Sequence, residues 1–576
     1  EPLFRSSYTN TTNRTFKFLN EDPDYYYYTQ YHQDTDWKDL VYHTAMTQNY
    51  GINVQGGDDV ANYNLSVGYV NQQSTLKYND MGRLNIRFNT DISLSRKIAV
   101  RFDASFSNTT RDIRNDGAPE SYDEGTPTAP GFLAYAKSPM LSPYTFANRQ
   151  ISDGYTDVTD ENYLDEALAD YSNYNYKLAN PRAVGEFGDA ENMNHFENSM
   201  INLSVTPKYR LNKHLTVSEH FSYNLVNTNE KFYIPLNGVP AYYVKSVGSN
   251  VENEVRSMAG KQNSVMSDTR LDWNNRYGAH AVSLMGGARL NWENYTLASQ
   301  LGYNTGSDKM PRIDSGLDHA QTTGNNDKWK NIAWYAQAAY SFRQRYYMQV
   351  SVTAETSSRF GKDADGALKL FQVPWGIFPG VQAAWVVTND PWLAGVPGLD
   401  YLRLGLGYDM SGNAGIDYNA SRSYFASHNF LEDVSGLTFQ NIGNTRLKWE
   451  TTRRLTASLE GNFIDNRLNL RLGYFRSTTD HLLMYQQLNY VTGLEHNWAN
   501  DGAMRNEGFD VTAVAKLLAL KDVQWELGAS MGHYKNTVTR LPGGASRLDS
   551  LQLYGASILT EVGKPANLFY GYRTEG

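Results

Sequence analysis

Several stretches of this chain carry residue types that could do chemistry. Gly528-Ala529-Ser530-Met531-Gly532 has the G-x-S-x-G spacing of a nucleophilic serine. That motif works on a sharp strand-to-helix elbow that exposes the hydroxyl. Here Ala529 and Met531 continue the apolar face of an alternating strand, so Ser530 reads as a small polar residue on the opposite face. Gly361-Lys362 lacks the upstream glycine spacing of a phosphate-binding loop and is followed by Asp363. No H-E-x-x-H pair occurs, and the 11 His are scattered. Asp22-Pro23-Asp24 and the run from Asp157 to Glu161 could approach a structural Ca²⁺. Neither has glycine-centred loop spacing, so no metal and no cofactor is expected. With no Cys, the chain has neither disulfides nor thiolate ligands. No catalytic constellation remains, and the chain is not expected to be an enzyme.

The polar residues suited to binding concentrate between Asp112 and Met193. This segment is acidic and rich in Tyr. Tyr155, Tyr163, Tyr171 and Tyr174, with Asp157 and Asp160, combine ring faces that stack on a ligand with carboxylates that accept from hydroxyls. Contact with a substrate or with a covering partner is expected there. A long solvated loop is the plain alternative. The run Tyr25 to Tyr28 falls on the same side of the chain.

The elements that must carry these residues are strands. In Arg83 to Leu94 the even positions are Leu84, Ile86, Phe88, Thr90, Ile92 and Leu94, while Arg, Asn, Asp and Ser fill the odd ones. The pattern restarts after Ser95-Arg96-Lys97 with Val100, Phe102, Ala104 and Phe106. Such alternation marks a hairpin with one apolar and one polar face. It recurs in Leu215, Val217, Phe221 and Tyr223, in Leu402, Leu404, Leu406 and Tyr408, and in Val511, Ala513 and Ala515. About sixteen strands follow, mostly ten or more residues long, where soluble sandwiches favour five or six. The charge-free run from Leu370 to Thr388 contains Pro374, Gly376, Pro379 and Gly380, so it is not a spanning helix.

Connections alternate in length. Short turns lie near Gly57–Asp59, Ser95–Lys97, Asn212–His214, Arg276–His280, Phe342–Arg345, Ile464–Arg467 and Leu518–Asp522. Long excursions run at about 112–193, 229–258, 303–326, 411–446 and 477–503. The predicted fold class is therefore all-β, a transmembrane antiparallel β-barrel with short periplasmic turns and long extracellular loops. The localisation that follows is the outer membrane, as a multi-pass barrel in contact with lipid and lipopolysaccharide. Trp334, Trp385, Trp525, Tyr408 and Tyr474 are expected to form its aromatic girdle, with Trp37 and Trp449 read the same way. Inward Arg83, Arg87, Arg101, Arg403 and Arg471 should line a polar lumen and pair with carboxylates of the lumen or of a plug. A formal charge of −9 argues against nucleic acid as a partner.

Strand parity adds one expectation. The first strand runs into a short turn and the sixteenth runs outward, so residues 1–43 and those after the last strand both lie outside. At least one strand should precede Glu1 and an odd number should follow.

Several segments resemble the SusC/RagA-like TonB-dependent outer-membrane transporters of Bacteroidota. They are Thr35 to Asp39, Gln48-Asn49-Tyr50 with Gly56-Gly57, Tyr63 to Tyr69, Trp375 to Pro379, Ser411-Gly412-Asn413, Leu447 to Thr452, Arg505 to Phe509 and Phe569 to Thr574. The resemblance implies a 22-stranded barrel filled by a plug, driven by TonB–ExbB–ExbD and capped by a SusD-like surface lipoprotein. Residues 1–576 are then read as the barrel section, with the plug, the TonB box and the final strands outside it. Import of glycan oligosaccharides or peptides is the implied function. A passive porin or secretion pore is one alternative, and a soluble carbohydrate-binding adhesin another.

Overall fold

The computed structural model describes residues 21–25, 28–114, 128–147, 150–155, 178–188, 194–244, 247–309, 311–313, 317, 319–364, 368–393, 395–430, 434–489, 491, 493–494, 496–553 and 556–571. Sixteen long strands build one antiparallel sheet. They are β1 (Thr47–Gly57), β2 (Ala61–Gln73), β3 (Asp80–Ser93), β4 (Ile98–Asp112), β5 (His195–Arg210), β6 (Leu215–Ile234), β7 (Glu254–Tyr277) and β8 (His280–Tyr303). Then follow β9 (His319–Phe342), β10 (Tyr346–Ser357), β11 (Val373–Val386), β12 (Leu399–Asn413), β13 (Glu450–Phe463), β14 (Leu468–Asp480), β15 (Ala503–Ala519) and β16 (Gln524–Arg540). Each strand pairs with the next in sequence, which is a pure meander.

Register turns the sequence alternation into two surfaces. Leu65 sits opposite Phe88, Phe88 opposite Ala104, and Ala104 opposite Leu203. Further round, Leu284 meets Ala338, then Val350, Val381 and Tyr408. Directly opposed residues share a face, so these form one apolar belt. Its large side chains are exposed, as Leu406 at 59% and Met531 at 63% illustrate. A belt of exposed Leu, Val and Phe round the wall has hydrocarbon as its natural solvent. Above it, toward the long loops, the same outward rows turn polar: Lys330, Arg453, Arg476 and Lys535.

The other face is polar and laced with charge. Arg101 holds Asp103 at 2.9 Å, Arg289 holds Asp268 at 2.7 Å, and Arg454 holds Asp409 at 3.1 Å. Arg403 reaches Glu460 at 3.5 Å. Two of the predicted lumen arginines thus pair with wall carboxylates. Among the described residues, Arg83, Arg87 and Arg471 make no ion pair.

Short turns collect at one end of the sheet. The tightest is the two-residue link 278–279, where Gly278 has φ +57°, a conformation that costs a glycine nothing. One connection at this end was not among the turns expected from the sequence and is longer than they are: 387–398 carries a 3₁₀ turn, Val387–Asn389. It is tied down by Asp390, which accepts from Trp385 Nε1 at 2.7 Å, Tyr346 Oη at 3.0 Å and Arg345 Nη1 at 3.0 Å. These donors hold the Asp390 carboxyl below the usual carboxylate range, the Trp385 bond contributing most. The stretch 370–388, which had been excluded as a helix, is largely β11.

At the other end, β6, β7, β8 and β9 run for 20 to 24 residues and outlast the belt. The expected excursions 229–258 and 303–326 therefore shrink to 235–253 and 304–318. Above the belt each face mixes polar and apolar residues, with Leu297 and Leu301 on the inner row of β8 and Val255 on the outer row of β7, so alternation no longer marks the strand although pairing continues.

The sheet is open. Within it β1 pairs only with β2, and β16 only with β15, among the described residues. Nearly all of β1 and all of 524–535 are exposed on both faces. A barrel wall of this kind predicts a strong asymmetry between its faces. In the full-length protein, Leu406→Arg on the belt should cost about 2–4 kcal/mol, while Gln382→Arg on the polar face should cost under about 1 kcal/mol. Urea unfolding from lipid or detergent checks both.

Candidate binding site at the long-loop end

The long loops do not hang loose over the sheet. Helix α1 (Trp37–Val41), capped by Asp36, packs its Trp37 and Val41 against Ala134 of α2 (Pro130–Ala136). Helix α3 (Pro181–Phe187), capped by Asn180, supplies Val184 to a second cluster with Leu133, Ile234, Val239, Val251 and Tyr303. The segment expected as one long loop thus contains two short helices that apolar burial fixes to β6, β8 and the loop 235–253. Trp37 is 3% exposed and donates to Ser138 O at 2.9 Å, so it is no girdle residue.

A third cluster joins the loops 358–372, 414–449 and 481–502. Trp449 lies 4.4 Å from Phe360, ring to ring, and its indole donates to Glu355 Oε1 at 3.2 Å. Trp449 is also 3% exposed, which corrects its reading as a lipid anchor. Ile416, Ala420 and Leu447 complete this core.

On these supports stand the groups that could hold a ligand. Trp329, Glu293 and Tyr295 come from the polar rows of β9 and β8. The guanidinium of Arg359 stacks between Trp329 at 4.6 Å and Tyr418 at 4.7 Å. Tyr418 donates to Glu293. Burial, and then the Glu293 carboxylate, push the Tyr418 phenol well above its ordinary range. Beside this group, a hairpin of 483–487 and 496–500 places Tyr485, Trp498 and His496 on one face. Tyr485 lies 4.3 Å from Trp498 and 4.1 Å from His496. Trp498 Nε1 donates to Asp417 Oδ2 at 2.9 Å. Aromatic faces beside a carboxylate can stack on a ring and accept from hydroxyls. Below this mouth, the polar face encloses a cavity of about 990 Å³ lined by Lys208, His220, Asp268, Arg289 and Glu355 among others.

The predicted contact residues fare differently. Tyr155 ends a short hairpin, opposite Tyr144. Tyr163, Tyr171, Tyr174, Asp157 and Asp160 lie outside the described residues. The girdle candidates fall at two levels. Trp385 and Trp525 sit next to the short turns, whereas Trp334, Tyr408 and Tyr474 sit further along their strands, 58%, 46% and 45% exposed. Ser530 lies within β16, with no elbow for a nucleophile. The Arg359, Tyr418 and Trp498 groups were not foreseen. Arg359 and Tyr418 sit in loops without periodicity, and the one available signal was the density of aromatic residues around Tyr485 and Trp498.

Comparison with known proteins decides what this wall is. Residues 134–567 match the family described as TonB dependent receptor-like, beta-barrel. The chain belongs to that family. This TonB-dependent receptor barrel is 22% identical to TonB-dependent receptor P3 of Formosa agariphila, over 95% of the chain and 52% of that protein. It is 23% identical to TonB-dependent receptor SusC of Bacteroides thetaiotaomicron, over 89% of the chain and 49% of that protein. The RagAB peptide transporter has a similar fold, with a TM-score of 0.73 at 19% identity, covering 93% of the chain and 55% of that structure's chain. The chain spans about half the length of the curated relatives it matches. As a TonB-dependent receptor-like β-barrel, it is a protein of the outer membrane.

One pH effect follows at the mouth. Burial, and then Lys448, hold the His481 imidazole below its ordinary range. A half-buried imidazole held neutral contributes stability above the unfolded value of about 6.5, and that stability is lost as pH falls below it. Hydrogen exchange should show the 481–502 hairpin loosening as pH falls below about 6.5. His481→Gln should remove the pH dependence.

Proposed function

We propose that this barrel section is the wall of an energised importer for oligosaccharides, with peptides as the rival cargo. A SusD-like surface lipoprotein covers the long-loop end, and TonB–ExbB–ExbD act through parts of the protein outside these residues. The observation that carries the reading is the combination of a polar, charged inner face with a fixed aromatic mouth. The inner face supports it through Arg83, Arg87 and Arg471, which offer cations to a plug. The mouth supports oligosaccharide over peptide through Tyr485, Trp498 and Asp417. The acidic, Tyr-rich segment with Tyr155, Tyr163, Tyr171, Tyr174, Asp157 and Asp160 remains our proposed contact for cargo or lid.

We also infer that further strands of the same protein close the wall. Unpaired β1 and β16 edges would expose bare peptide groups to hydrocarbon. An even total of 22 strands satisfies the parity of the sixteen observed here. Trp334, Trp385, Trp525, Tyr408 and Tyr474 are proposed to anchor the closed wall at the lipid interfaces.

Calorimetry on the full-length receptor tests the cargo. Trp498→Ala should weaken oligosaccharide binding by about tenfold, the scale of one lost aromatic contact. Unchanged oligosaccharide affinity, or binding of peptides alone, would overturn the sugar reading. Planar-bilayer conductance tests the mechanism: the receptor should stay silent, and a steady open channel would identify a porin instead.

A further inference from the structure

The outward row of β6 has an interruption. It runs Leu215, Val217, Glu219, Phe221, Tyr223. Glu219 lies opposite Thr269 and Phe221 opposite Ser267. Ser267 Oγ donates to Glu219 Oε1 at 2.6 Å, and Thr269 Oγ1 donates to Oε2. Among the described residues of the belt, below the polar rim, Glu219 is the one carboxylate. No Lys or Arg of the described belt lies beside it. A carboxylate facing hydrocarbon is costly and is kept where it has work to do. Its oxygens offer about four acceptor positions, and the two hydroxyls fill two of them. The rest have no protein donor among the described residues.

A second feature adjoins it on the same face. A cavity of about 540 Å³ is lined by Val217, Thr269, Leu271, Gly286, Ala288 and Trp334, among others, and continues to Val352. It crosses the wall at one register level, since Leu271 meets Gly286, Gly286 meets Ala336, and Ala336 meets Val352. Five strands at the usual spacing make it about 19 Å long. That is an elongated apolar trough, and Glu219, hydrogen-bonded to its lining residue Thr269, stands beside its β6 end.

We propose that Glu219 and this trough bind one phospholipid of the periplasmic leaflet. An acyl chain lies in the trough, and the ammonium of an ethanolamine-type head group donates to Glu219. Depth supports the choice. Glu219 stands four residues beyond Leu215, where β6 leaves its short turn, which is roughly 10 Å of height at ordinary strand tilt. Charge supports it too: Arg270, whose backbone segment lines the trough, commits its guanidinium to Asp272 at 2.8 Å on the polar face, so Glu219 has no cation partner among the described residues and its ligand brings the donor. A second copy of the chain fits less well. A two-fold contact over this patch would bring one Glu219 toward the other, or leave the trough empty.

Native mass spectrometry of the full-length receptor tests this. The probe is an equal mixture of phosphatidylethanolamine and phosphatidylcholine with identical chains, whose head groups differ in N–H donors. The wild type should retain the ethanolamine lipid by about tenfold over the choline lipid, the worth of one charge-assisted hydrogen bond. Glu219→Gln should erase that preference, and Ala288→Phe should reduce retention of both lipids. Equal retention by the wild type, or a preference that survives Glu219→Gln, would overturn the proposal. So would a Glu219→Gln variant whose lipid preference is intact but whose subunit count has changed, which would make the patch a protein contact. Glu219→Gln is nearly isosteric, so the test does not rest on Ala288→Phe folding.

Discussion

A bilayer offers no water to an unpaired peptide group. Every N–H and C=O that crosses it must bond within the protein. For a chain without a long apolar helix, the remaining solution is a sheet whose strands satisfy one another. The meander of sixteen strands follows from that constraint, and so does its period-two sequence. Each strand needs one face for hydrocarbon and one for the lumen, and the pleat supplies both at alternate residues. The absence of large soluble-style cores follows as well. Among the described residues, buried apolar clusters form at the long-loop end, where Leu133, Val184 and Tyr303, or Phe360 and Trp449, leave the membrane's reach.

The same constraint separates the two ends. Short turns keep the periplasmic side trimmed, and the longest of them is pinned by the single carboxylate of Asp390. The outer ends are free to grow. There the strands continue in pairs beyond the belt, and loops fold onto them around buried Trp and Leu. That rigidity matters for binding, because stacked groups such as Arg359 between Trp329 and Tyr418 hold their geometry only on a fixed support.

The wall was legible in the sequence because its physics is local. Leu84, Ile86 and Phe88 against Arg83, Asn85 and Arg87 already state the face and the register class. Strand number and the segregation of turns came from the same signal. Strand ends were not legible, because above the belt both faces of β7 and β8 mix polar and apolar residues and alternation fades. Trp37 and Trp449 were misread because a Trp at a strand or helix end looks alike whether it meets lipid or a loop core. The mouth was hidden for a third reason. Tyr418 meets Glu293, and Trp498 meets Asp417, across long separations in sequence that only the folded loops close.

The absence of Cys from the chain permits a direct test of the central claim. Single Cys substitutions at consecutive positions 284–291 of β8 would be labelled in membranes with a water-soluble thiol reagent and, separately, with a lipid-soluble one. Labelling should alternate: Leu284, Gly286, Ala288 and Leu290 positions react from lipid, and Met285, Gly287, Arg289 and Asn291 positions react from water. Uniform labelling along the strand, or an alternation of opposite phase, would contradict a wall with its apolar belt against the bilayer.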